Sequence, residues 1–592
     1  MMTGFLLVGR GYTTQPQRGE PPPTASSDSL VGLEQTKGDI MVTWEDRFLR
    51  VAGVLAIVLI ISCSPDAGDS ESILVSSSAL TVQDRLSACA QDPRVITGLV
   101  SQDICAGADV FFRETFNGNG RTCATCHPAN NNFTLDPASV AARRASNPAD
   151  PLFVFEQNPQ LAELDNTDAL NRGGIRENVD GFEDPVHKFV SRGVPHLLSM
   201  KTSIAADTGD GTANPPVERT GWGGDGAPGD GSLRSFLTGA VTQHYTKTLK
   251  RRPGIDFRLP TSQELDLVLA FQLALGRLNE LDLTQVRIFD ANGEQGRQAF
   301  IVPARGGCNV CHFNAGANFQ DTGKNRNFDT GTRQLGFLEA STFKGAQLFD
   351  AGFGGQGLAN PNVSVDPFFD GSDEGINDGF GNNTFNTPPL IEAADTSPFF
   401  HNNQEGGTFL PGASPVTGLE DAINFYACVP FGASPAFLQL QARFGGNFIN
   451  LSDLDIMNIG RFLRALNVAL NLDMAKQRLQ AALMLANQFP NTRVDIQLGL
   501  LNLGAAELDD AQGVLTALPT ETAMGDPLPS IPFYPVAVNR IGLAKGEIAA
   551  ALKAPASSRA GHISNAVSRV ENARDQIGVN ITFQLGQGNL MF

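Results

Sequence analysis

Two short stretches of this chain carry chemistry: "GRTCATCHP", from Gly120 to Pro128, and "GGCNVCHFN", from Gly306 to Asn314. Each holds two cysteines separated by two residues, with a histidine directly after the second. This Cys-x-x-Cys-His spacing is the attachment signal for c-type haem. Two thiols on one turn reach the two vinyl groups of one porphyrin. The adjacent imidazole then lies under the iron as an axial ligand. A thioredoxin-like redox pair has no need of the histidine, and a zinc site needs a second ligand pair nearby. The spacing therefore predicts two covalently bound haem c groups. Cys123, Cys126 and His127 hold the first, and Cys308, Cys311 and His312 hold the second.

The segments around the motifs repeat as well. "ADVFFRETFNGNG" precedes the first and "EQGRQAFIVPARGG" the second, and both read as a short helix entering a glycine loop. Far downstream of each comes an amphipathic helix with apolar residues at spacings of three and four. The first, "PTSQELDLVLAFQLALGRL", has Thr261 and Glu264 in capping-box spacing. The second, "LSDLDIMNIGRFLRALNV", starts near Ser452. A c-type cytochrome closes on its haem with such a helix. The expected fold is mainly α, with two tandem cytochrome c-like haem domains, long loop insertions and a C-terminal helical region. The expected divisions are 1–62, an N-terminal extension and signal; 63–95, a tether; 96–285 and 286–470, the haem domains; and 471–592, the helical region. In that last part "DMAKQRLQAALMLANQF", "NLGAAELDDAQGVLTAL" and "NRIGLAKGEIAAALKA" read as helices for packing or partner contact. The loop "FFDGSDEGINDGFGNN" fits no EF-hand spacing and reads as solvated.

The chain has 592 residues, enough for several domains, and a formal charge of −19, which argues against a nucleic-acid partner. "MVTWEDRFLR" followed by "VAGVLAIVLII" reads as a secretory signal, too short in its apolar run to span a bilayer. It ends in "IISCS", which resembles a lipobox with Cys63 as the lipidated residue. Met41 is then the expected start. The expected location is the periplasm or cell envelope, with a lipid anchor as the sole membrane contact. In an exported chain Cys89 and Cys105 are placed to close a short disulfide loop, leaving Cys428 over.

"FNTPPLIEAADTSPFFHNN" followed by "GLEDAINFY" resembles the second-domain signature of the bacterial di-haem cytochrome c peroxidases and the related MauG enzymes. "GVPHLLSM" and "GWGGDGAPGDGSLRSFLTGA" resemble first-domain segments of the same family. The resemblance covers residues 100 to 470. It implies a peroxidase that reduces hydrogen peroxide, with one haem meeting the peroxide and the other relaying electrons. It also implies a small periplasmic electron donor, a cytochrome or a cupredoxin, and a homodimer.

The resemblance assigns roles residue by residue. Trp222 matches the family's tryptophan between the haems. The family's distal glutamate falls in "GAVTQHYTKTLKR", which has no carboxylate, so Gln243 and His244 take its place. His187 and His196 are alternatives for a ligand that leaves on activation. Thr396 and Pro398 match the carbonyl ligands of a calcium ion, while the family's asparagine ligand is replaced by Ser199. His401 is expected to bond a propionate. Tyr426 falls at the axial position of the second haem, where peroxidases place methionine and MauG tyrosine; Met457 is the nearest methionine downstream. Two other readings stand beside this one. A di-haem dioxygenase of the rubber-oxygenase type also lacks the glutamate, and Phe236 lies where its apolar distal side chain would fit. A two-haem electron carrier would have both irons six-coordinate.

Overall fold

The structure is a computed structural model that describes residues 80–177, 190–209, 216–224, 230–332, 384–403, 418–516 and 534–592. The signal, Cys63, most of the tether, His187 and the acidic loop 368–383 lie outside the described residues. The protein is mainly helical, with a few short strands.

Helix α1 (Val82–Cys89) is joined to α2 (Gln102–Arg113) by the Cys89–Cys105 disulfide, with the two Cα atoms 5.8 Å apart. Ser101 caps α2, which runs into a loop where Phe116 and Asn117 take positive φ. That loop delivers the chain to the helical turn Cys123–Cys126. Helices α3 (Leu233–His244) and α4 (Ser262–Gln272) follow. The expected Thr261–Glu264 capping box opens α4, and Arg258 pairs with Glu264 at 2.6 Å. Helix α5 (Ala291–Ile301) leads to the second motif, and α6 (Asp453–Gln488) opens on a Ser452–Asp455 capping box.

One helix crossing occurs twice. Helix α2 packs on α4, and α5 packs on α6. A Cβ added at Gly107 of α2 would stand 1.9 Å from the Leu267 carbonyl oxygen; one added at Gly296 of α5 would stand 1.8 Å from that of Asn458. Only glycine lets the two backbones approach so closely. Four residues beyond each glycine lies a fully buried phenylalanine, and each meets a phenylalanine of the crossing helix. The Phe111–Phe271 centroids are 5.1 Å apart and the Phe300–Phe462 centroids 5.4 Å.

The change of composition suggests a break near residue 470, but α6 passes through it as one helix of 36 residues. No strong breaker stands between Val468 and Met474: "VALNLDM" has neither glycine nor proline. Helix α6 packs with α7 (Val494–Thr516) and α9 (Ala556–Ile577), and α8 (Pro535–Lys553) packs in turn on both of those. A single apolar core runs from Cys89 to Met591 and includes both crossings and the C-terminal helices.

The final residues return to the first half of the chain. Gly586 N–H donates to the Gly276 carbonyl at 2.9 Å, and Gly588 N–H to that of Ala274 at 2.8 Å. The Asn589 side chain accepts from Gly276 N–H at 2.6 Å and donates to the Gly276 carbonyl at 3.1 Å. Gly276 sits at φ +61°, and a Cβ added there would stand 1.7 Å from the Leu198 carbonyl oxygen.

Candidate functional site

Each motif opens on its own cavity. The first, of about 270 Å³, is lined by Cys123, Cys126 and His127. The second, of about 150 Å³, is lined by Cys308, Cys311 and His312. Trp222, Asn386, Thr387, Pro388, Leu390 and Phe400 line both, so the segment that carries the second-domain signature forms a shared wall. It is held there by the pairing of β3 (Asn327–Phe328) with β4 (Phe385–Asn386), while β1 (Gly174–Glu177) and β2 (Val190–Gly193) pair beside the first cavity.

The two histidines are fixed in the same way. His127 Nδ1 lies 2.7 Å from the Phe133 carbonyl oxygen, and His312 Nδ1 lies 2.9 Å from that of Pro388. A carbonyl only accepts, so each Nδ1 carries the proton and each Nε2 keeps its lone pair. Burial holds both rings down at about 4, so both are neutral at neutral pH. The four thiols are free. Burial pushes Cys123 and Cys126 up to about 11 and Cys308 and Cys311 up to about 12. These are protonated thiols, unlike the low-pKa cysteines of redox pairs. Among the described residues no group of three or more His, Cys, Asp or Glu gathers into a metal-binding cluster.

Trp222 Nε1–H donates to the Gly193 carbonyl at 3.0 Å, and its own carbonyl accepts from Asn386 N–H at 2.8 Å. The ring therefore has a set place between the cavities. Gln243 and His244, at the end of α3, are buried and line the first cavity. Both polar atoms of Gln243 and Nδ1 of His244 have no partner among the described residues. Burial, then Arg121 and Arg251, hold His244 well below the usual histidine range. His196 lines the same cavity, with Nδ1 accepting from Leu198 N–H at 3.3 Å. Phe236, Leu237 and Ala240 make the rest of the α3 wall apolar.

Thr396, Pro398 and Ser199 also line the first cavity. The Thr396 hydroxyl donates to the Glu392 carbonyl at 2.9 Å. His401 lines the second cavity, stacked on Phe385 with centroids 3.9 Å apart.

Tyr426 lines the second cavity and Met457 does not. The tyrosine follows helix Leu419–Asn424, whose Glu420 receives two bonds from Arg464 of α6, at 2.9 and 2.7 Å. Gly460 of α6 leaves the space Glu420 fills. The Tyr426 ring packs edge-on to Phe431 with centroids 4.9 Å apart. Its hydroxyl has no hydrogen-bond partner among the described residues, and burial raises it above the usual phenol range.

Every site residue singled out from the sequence and described by the structure thus borders one of the two cavities, except Met457. Sequence reasoning missed Arg121, Arg219, Gln272 and Tyr245 on the first cavity wall. Of these Arg121 had a signal, two residues before Cys123, and so did Tyr245, as the neighbour of His244. No protein-family model, no curated protein and no solved structure matches this chain.

Proposed function

We propose that the chain is an exported di-haem c-type oxidoreductase, built of two cytochrome c-like modules closed by a helical C-terminal region. Its preferred activity is peroxidase chemistry of the MauG-like kind. The observation that carries this reading is the pair of Cys-x-x-Cys-His turns, each on its own cavity, with Trp222 in the wall between. The residues fit the group. The paired thiols are protonated and unbridged, the histidines present Nε2 lone pairs, and the walls are largely apolar. Arg121, ion-paired with Asp165 at 2.6 Å, and Arg219, bonded to the Gly224 and Asp207 carbonyls, also line the first cavity.

Bound haem supplies the redox-active iron on which peroxide is reduced. The chain does the rest. His127 and His312, oriented by their backbone acceptors, would hold the irons through Nε2. Neutral His244 can take a proton from hydrogen peroxide, and Gln243 beside it can orient the oxygen atoms by hydrogen bonds. Net turnover consumes hydrogen peroxide, two protons and two electrons and yields two waters. The electrons come from a small periplasmic cytochrome or cupredoxin, with Trp222 as the coupling side chain. Tyr426 is the axial candidate for the second haem. A calcium ion on the Thr396 and Pro398 carbonyls would rest on neutral oxygens and water, a weak donor set. Lipid attachment at Cys63 and a homodimer complete the proposal.

One observation favours the dioxygenase reading: α3 turns Leu233, Phe236, Leu237 and Ala240 toward the first cavity. The test is an absorption and EPR titration of the purified protein with ascorbate, then peroxide, after intact-mass measurement. Two added haems and a high-spin fraction that responds to peroxide support the peroxidase. Response to dioxygen with latex cleavage moves the reading to the dioxygenase. Wholly low-spin haem that ignores both would make it a carrier, and a chain without covalent haem would end the proposal.

A further inference from the structure

The two cavities differ at the first cysteine of each motif. Cys308 Sγ lies 3.5 Å from the Gly306 carbonyl oxygen, so there the thiol can only donate. Cys123 Sγ lies 3.2 Å from Tyr245 Oη, and there the sulfur accepts from the phenol. The distinction matters once haem is attached. Thioether formation adds the S–H bond across a vinyl group: sulfur bonds to one carbon and the hydrogen goes to the other. The Cys308 contact is lost with that hydrogen. The Tyr245 contact needs only a sulfur lone pair, which a thioether keeps.

Tyr245 is built to hold this position. It is buried at 4% exposure, lines the first cavity, and packs edge-on to Phe116 with centroids 5.7 Å apart. Its carbonyl accepts from Asn119 N–H at 2.8 Å, and Asn119 Nδ2 bonds the carbonyls on either side, those of His244 and Thr246. A Cβ at Gly118 would stand 2.1 Å from the Tyr245 carbonyl oxygen, so the glycine loop ahead of the motif is moulded to this residue. Burial keeps the phenol protonated and therefore a donor.

We propose that Tyr245 is a positioning residue for the first haem, whose hydroxyl donates to the Cys123 thioether sulfur and raises the potential of that haem alone. A donor at this sulfur draws electron density from the porphyrin edge and favours the reduced iron. The inference rests on the haem reading above. Redox titration of the full-length holoprotein tests it. Tyr245→Phe keeps the ring against Phe116 and should retain two haems by intact mass. The midpoint potential of one haem should fall and the other should stay. In a Cys123→Ala background, with haem held through Cys126 only, the same substitution should produce no shift. Protein carrying 3-fluorotyrosine, a stronger donor of nearly unchanged size, at position 245 alone should show the same potential moved upward. Two unchanged potentials, equal movement of both, or a shift that survives Cys123→Ala would each overturn the proposal. A wild-type chain without covalent haem would instead remove the reading on which it rests.

Discussion

Tyr426 borders the second cavity, while Met457 sits on α6 away from it. If the phenol ligates, Tyr426→Phe changes the EPR spectrum of one haem and raises its potential, since a hard anionic donor favours oxidised iron. Met457→Leu leaves both signals as they were. Trp222→Phe should preserve both haem spectra and slow peroxide-driven oxidation of the second haem by at least tenfold, read by stopped flow; an unchanged rate would make Trp222 a packing residue. His196 gives a pH dependence. Burial first and Arg277 next hold it down from 6.5 to about 4. Between those values the unfolded chain takes up a proton that the fold refuses, so stability falls as pH falls. Denaturant midpoints at pH 7 and pH 5 should separate less in His196→Gln than in the wild type. At this scale the sequence was read well wherever chemistry was contiguous. The two motifs declare themselves because haem attachment needs its three residues side by side. Arg219 and Gln272 were missed because only tertiary packing brings them to the same wall.

The repeated crossing of α2 on α4 and α5 on α6 is where helices set the site. Both motif turns hang from the first helix of a crossing, so the depth of the crossing fixes where the thiols stand. Gly296→Ala forces a Cβ into the Asn458 carbonyl. It should cost at least about 3 kcal/mol, the upper range for overpacking, in a denaturant titration, with the second motif losing haem first. The Cys89–Cys105 bridge closes a loop with a sequence separation of 16. The paired change to serine should lower stability by about 3 kcal/mol without changing the haem count. The capped helices were legible because Thr261–Glu264 and Ser452–Asp455 are local signals. The glycine-to-phenylalanine spacing shared by Gly107–Phe111 and Gly296–Phe300 lay in plain view, but its meaning depends on a partner helix distant in the chain.

Across the whole molecule, helices that composition sets apart are joined to the rest by a continuous α6 and by the returning tail. No local pattern announces either: the first is the lack of a stop, the second a contact between residues hundreds of positions apart. Asn589 is wholly buried, with its carboxamide bonded to Gly276 and Gln477. Asn589→Ala strands those groups and should lower stability by about 2–3 kcal/mol, measured as a shift in the denaturant midpoint.

The tail also dictates a schedule. A ribosome makes a chain from N-terminus to C-terminus, and Gly276, four residues past the end of α4, is synthesised long before Asn589. The first haem-motif half therefore waits, with the Gly276 and Ala274 backbone groups unmatched, until the final seven residues have emerged. Truncation at the C-terminus, as far from the first motif as the sequence allows, is accordingly the cut that leaves the earliest-made half unfinished.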